Sequence, residues 1–236
     1  MQQIAFEFKN PPFHYELVRS RRKTLVIYVK SGDVEVRAPL RASEKWINEF
    51  LTEKTPWVQS QLATQRKKQK QQLVLAEGVQ LTLKGEPVTL HIALSKKRPH
   101  ALHAAGKLTL FVKEHTKTAI EKLFLDWLLE QAKSYMPTLA KQYARAIGLE
   151  HKLGKVTFRK TRTKWGHCCE DGDIQFNWLL MLAPKPVLDY LIAHETSHLR
   201  HLNHSMKFWN TVGELCPDYK KHRDWLTDNG HRLWLS

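Results

Sequence analysis

Residues 185–209 read KPVLDYLIAHETSHLRHLNHSMKFW. After Pro184 and Pro186, apolar residues return at Leu188, Leu191, Ile192 and Leu199, the spacing of one face of a helix. Within that helix lies His194-Glu195-Thr196-Ser197-His198, an H-E-x-x-H pattern. Two histidines four apart project from the same face, about 6 Å apart along the axis. From there both imidazoles reach one metal ion at about 2.0–2.1 Å. Glu195 then stands beside the open coordination position, where hydrolysis needs a general base. With 13 His in the chain, random placement gives on the order of 0.05 such matches.

A catalytic metal of this kind takes a third protein ligand, and two histidines follow. His201 continues the same helical face but lies about 10.5 Å from His194 along the axis, too far to converge. His204 comes after Leu202-Asn203, where the helix can end and the chain return. The spacing therefore favours His204, giving H-E-x-x-H-x5-H, and leaves His201 as a surface or supporting residue. Asn203 to Ser205 marks the break before a short helix with Phe208, Trp209 and Val212.

Upstream, Thr118 opens a helical pattern through Ile120, Phe124, Trp127, Leu128 and Ala132, with Thr118 and Glu121 as a capping box. Pro137 is a candidate kink and Gly148 a stop. Short strands are expected at Val156–Lys160 and Ile174–Trp178, with a turn at Glu170–Asp173. Further back, residues 79–94 and 108–112 alternate like strands, and SKKRPHALHAAG between them reads as a loop. Residues 14–38 read as a hairpin turning at Ser31-Gly32-Asp33. Two helices should follow, from Ser43 to Glu53 and again from a Thr55 cap with Pro56 in its first turn. The fold class is α+β, with a basic β-rich region at 1–115 containing two helices and a helical catalytic region at 116–236.

The 236 residues carry 38 Lys and Arg against 23 Asp and Glu. Such a chain attracts anions: nucleic acid, nucleotides or acidic surfaces. No apolar run approaches the roughly 20 residues of a membrane span. MQQIAFEFKNPP has charges where a signal peptide needs an apolar core, so a cytoplasmic protein is expected. The three cysteines, two of them adjacent, make a poor disulfide framework. Adjacent Cys168 and Cys169 point to opposite sides of a strand, which disfavours a second metal site with His167.

HETSHLRHLNHSMKFW, TRTKWGHC and IQFNWLLMLAP resemble the YgjP-like zinc metallopeptidase family, within the wider SprT-like, minigluzincin group. SRRKTLVIYV, VEVRAPLRAS, the Trp57 helix and LKGEPVTLHI extend the resemblance over most of residues 14–236. It implies a metallopeptidase domain with a small sheet and an HExxH active-site helix. It further implies Zn2+ on His194, His198 and His204, Glu195 as catalytic base, and protein or peptide as substrate. The segment Trp165, Gly166, His167 and Cys168 would be an edge strand beside the substrate cleft, with Asn177 and Trp178 on the strand before the metal helix. Lys164 stands where the family usually has Arg, and His167 where it has Ser. Lys lacks the planar fork of Arg, so a bidentate clamp there is not expected.

Three functions follow from these residues. The first is a zinc peptidase, with nickel or manganese as alternative metals and His167, Tyr190 or Tyr219 as candidates for stabilising the oxyanion. The second is a metal-dependent hydrolase of nucleotide phosphoanhydrides on the same scaffold, with the basic residues holding phosphate. The third is a nucleic-acid-associated binding module with a structural metal.

Overall fold

The computed structural model describes residues 11–30 and 32–236. Ser31 of the expected turn and the leaderless reading of residues 1–10 lie outside the described residues. The chain divides into two compact units, Met1–Gln71 and Gln72–Ser236.

In the first unit, β1 (Glu16–Ser20), β2 (Val26–Lys30) and β3 (Asp33–Pro39) form a sheet ordered β1-β3-β2. β3 pairs antiparallel with β2 and parallel with β1. Helix α1 (Glu44–Lys70) covers it, capped by the Ser43 side chain on the Trp46 amide. Two helices were expected here, but α1 runs unbroken through Pro56. The Thr55 hydroxyl donates to the Leu51 carbonyl one turn back, so Thr55 is an interior residue and not a cap. Burial of Ile47, Leu51, Val58 and Leu62 along one face holds the helix together across the proline. Gln65 clasps the hairpin, its amide donating to the Val29 carbonyl and accepting from the Gly32 amide, both at 2.8 Å.

The second unit contains a four-stranded sheet, β4 (Gln80–Leu83), β5 (Glu86–Leu94), β6 (His100–Ala104) and β7 (Lys107–Val112), ordered β4-β5-β7-β6. β6 occupies the segment expected to be a loop. It is an edge strand with Leu102 exposed, so it lacks the buried alternation that makes strands visible in sequence. The tight turn at Ala105 and Gly106, both at positive φ, returns it to β7.

Helix α2 (Lys117–Ala146) is capped by Thr116, whose side chain accepts from the Ala119 amide, and not by Thr118. Its buried residues are Ile120, Phe124, Leu128, Ala132, Met136, Ala140 and Ala144, every fourth position. A strict four-residue step overshoots the 3.6-residue turn by about 40°, so the buried stripe winds around the helix. One end of α2 thus packs on the sheet and the other on α3 (Lys185–Ser197). Pro137 interrupts neither the helix nor the stripe. Gly148, at φ +71°, ends it, with the Leu149 amide on the Ala144 carbonyl and the Gly148 amide on the Arg145 carbonyl.

A third sheet is built from β8 (Val156–Phe158), β9 (Gly166–Cys168) and β10 (Ile174–Phe176), with β10 central. β9 pairs antiparallel with β10 and packs on α3. Helices α4 (Met206–Leu215) and α5 (Tyr219–Asn229) complete the unit, and α5 has no counterpart among the elements expected from sequence. The four-stranded sheet and all these helices share one core, so the sheet grouped by sequence with residues 1–115 packs with the helical part. Strands leading into helices around small sheets make this an α+β protein. Among the described residues no helix is long and apolar enough to cross a membrane.

Candidate metal centre

α3 is buried along most of its length, which is why its sequence is nearly continuous in apolar or small residues. The two polar residues inside the motif need partners there. The Thr196 hydroxyl donates to the Ile192 carbonyl (2.7 Å) and that of Ser197 to the Ala193 carbonyl (2.8 Å). The helix tightens at its end, where the His198, Leu199 and Arg200 amides bond carbonyls three residues back. Asn203 Oδ1 then accepts from the Ser205 amide, and the chain reverses into α4.

This reversal brings His204 against the first two histidines. Ring centroids lie 5.2 Å apart for His194–His198, 5.0 Å for His194–His204 and 4.9 Å for His198–His204. One nitrogen from each gathers with the others within 4.8 Å. The Nε2 atoms of His194 and His204 are 3.1 Å apart. His201 does not bring its ring into the cluster. Its backbone carbonyl lies 2.9 Å from His198 Nδ1, which directs His198 Nε2 toward the other two rings.

An aromatic floor supports the trio. Phe208, fully buried, stacks on His198 at 4.4 Å and meets His194 and His204 edge-on at 4.9 and 4.8 Å. Trp209 flanks His194 and His204 at 5.6 and 5.7 Å and is itself stacked by Tyr219 at 5.2 Å. Tyr190, one turn before His194, meets that ring at 5.9 Å. Sequence reasoning placed Phe208 and Trp209 on a helix without assigning them to the site. Their signal was position, four and five residues after His204 and facing back toward α3.

Burial pushes His194 down to about 3 and lowers His198 as well. Both rings are therefore held neutral, the form in which imidazole donates a lone pair to a metal. His194 Nδ1 is buried without a hydrogen-bond partner among the described residues. Three imidazoles gathered together, with two nitrogens 3.1 Å apart, fit a tetrahedral ion, whose ligands at 2.0–2.1 Å stand roughly 3.3 Å from one another.

Glu195 is only 5% exposed, and burial pushes its carboxyl up to about 8, against the opposing pull of the Lys164 cation. Gly166 on β9 lies directly over it: a Cβ there would stand 2.5 Å from Glu195 Cγ and Oε1. The strand edge can approach the carboxylate this closely only because residue 166 has no side chain. Asn177 fixes the approach. Its backbone amide donates to the Trp165 carbonyl (2.8 Å), its Nδ2 to the Thr161 carbonyl (3.1 Å), and its Oδ1 accepts from the Leu179 amide (3.1 Å).

The remaining expected cleft residues, Trp165, His167 and Cys168, stay on or beside β9, with His167 within electrostatic reach of His198 and Cys168 of Glu195. His167 is exposed on β9. Cys168 is buried, and burial followed by the nearby Glu195 charge pushes its thiol up to about 12, so it is a packed thiol. Trp165 packs on Gly230 and Trp234. Cys168, Cys169 and Cys216 are free.

The model of the YgjP-like metallopeptidase domain matches residues 23–229, a span that includes these histidines, Glu195 and β9. The chain belongs to the YgjP-like metallopeptidase family, a class of metal-dependent hydrolases acting on protein or peptide. Among solved structures it is similar to two metallopeptidase zymogens. Abylysin of Pyrococcus abyssi shares 20% identity at a TM-score of 0.38, covering 43% of this chain and 99% of that one. Jannalysin of Methanocaldococcus jannaschii shares 14% at 0.33, covering 39% and 96%. Comparison with curated proteins gave no significant match.

Proposed function

We propose that this chain is a zinc peptidase in which His194, His198 and His204 hold the ion and Glu195 is the general base. The observation that carries the reading is the convergence of the three imidazoles beside a buried carboxylate backed by a glycine. Three nitrogen ligands suit zinc, and also nickel or other late transition metals. The ion, when bound, would acidify water and polarise the scissile carbonyl.

The chain's own residues do the rest. Glu195 takes the proton from the attacking water and later returns it to the leaving amine. Its burial makes the protonated form accessible, which suits the second step, while Lys164 favours the charged form needed for the first. Gly166 keeps the carboxylate in one place between these transfers. β9, at the edge of its sheet, offers backbone groups to which an extended peptide can add as a further strand. Family membership supports a protein or peptide substrate and lends no support to nucleic acid.

The test is a product screen by mass spectrometry. Zinc-loaded chain and its Glu195→Gln variant would each meet unfolded proteins and nucleoside triphosphates. Peptide products that vanish in the variant are expected. Nucleotide products alone would replace the peptidase reading with phosphoanhydride hydrolysis.

A further inference from the structure

Beside the three histidines stands a cation that the hydrolytic scheme does not use. Arg223 on α5 lies over Trp209, its guanidinium carbon 5.5 Å from the ring centroid. That indole is 5.7 Å from the His204 ring. The guanidinium is therefore no more than about 11 Å from the His204 ring, and an extended peptide advances about 3.3 Å per residue, so the cation falls within about three residues of a scissile bond held there.

The guanidinium's carboxylate partner is a weak one. Its Nε and one terminal nitrogen both lie 3.3 Å from a single oxygen of Asp224, the next residue, whose side chain is well exposed. Exposed pairs at such distances contribute little. A carboxylate accepting two parallel bonds at about 2.7–2.9 Å would bind far better. The indole supports the guanidinium from one side, and a substrate carboxylate can displace the loose Asp224 contact.

Resting on the peptidase reading, we propose that Arg223, held over Trp209 next to His204, forms a carboxylate-recognising subsite. It selects substrates with an acidic side chain, or a free C-terminal carboxylate, within three residues of the cleaved bond. The excess of basic residues in the chain brings such substrates to the site, and Arg223 fixes their register.

Binding separates this from catalysis. Labelled acetyl-hexaalanine amides with one Glu scanned through every position, the matching Gln series, and acetyl-hexaalanine with a free C-terminus would be titrated against the zinc-loaded Glu195→Gln chain by fluorescence anisotropy. One Glu position, or the free terminus, should bind about tenfold or more tighter than its neutral counterpart. Whether the side chain or the terminus is preferred identifies the source of the carboxylate. Arg223→Gln should abolish the preference, while Lys221→Gln on the same helix should leave it intact. Arg223 is exposed, so its replacement does not threaten the fold. Equal binding of the Glu and Gln series, or a preference that survives Arg223→Gln, overturns the subsite. If the wild-type chain cleaves none of these peptides yet the preference holds, the peptidase reading fails and the subsite stands. If it cleaves them without preference, the reverse is true.

Discussion

His198 and His201 are three residues apart and serve the site through different atoms, one through its ring and the other through its backbone carbonyl. That difference sets the outcome of substitution. His204→Ala removes one of three nitrogens and should weaken zinc binding by 100-fold or more (roughly 3 kcal/mol for a lost charge-assisted contact). His201→Ala keeps the carbonyl and should leave affinity within a few-fold; competition titration with a chromogenic chelator distinguishes the two. Gly166 gives a second prediction. A Cβ at that position must displace the Glu195 carboxyl, so Gly166→Ala should lower kcat strongly while the zinc content, read by elemental analysis, stays at that of the wild type. Phe208 gives a third. Truncating it to Ala empties the floor under all three rings and should cost about 3–5 kcal/mol, measured by denaturant unfolding.

At the scale of elements, legibility in the sequence depended on how each segment is buried. α3 was legible because the apolar spacing and the motif coincide. The third histidine of the cluster was legible because a straight helix cannot bring the His201 ring to that of His194. The edge strand β6 was not, since its outward residues, including Leu102, leave no alternating pattern. Pro56 misled because proline marks helix starts far more often than interiors, and only the buried face of α1 reveals the continuity. The cap of α2 was misplaced for a similar reason: Thr116 and Thr118 precede the same apolar run, and only the backbone shows which has left the helix. The assignment can be tested. Thr116→Ala should destabilise the chain by about 1 kcal/mol, whereas Thr118→Ala should be close to neutral, both read by denaturant unfolding. The aromatic floor needed tertiary contacts across α3 and α4, which no local pattern records.

For the whole molecule, each unit keeps its own core. Val36, Ile47 and Leu51 pack within the first, while the winding stripe of α2 ties the four-stranded sheet to α3 in the second. The first unit carries 14 basic and 7 acidic residues and the second 24 and 16, so positive charge is denser per residue in the smaller unit. Separate cores predict separate unfolding. Calorimetry should resolve two transitions, and a chelator should lower only the one belonging to residues 72–236, because a ligand stabilises just the unit that binds it. A single transition that moves as a whole would show that the two cores unfold together.

Thr196 and Ser197, the two unspecified letters of H-E-x-x-H, are fully buried and spend their hydroxyls on their own helix. Those letters are therefore part of the interior of the protein: whatever stands there must pack against the core and leave no polar group unpaired. A charged residue at either place would spell the same motif and would have to bury its charge beside the histidines. The pattern thus carries a restriction on polarity that its notation does not show.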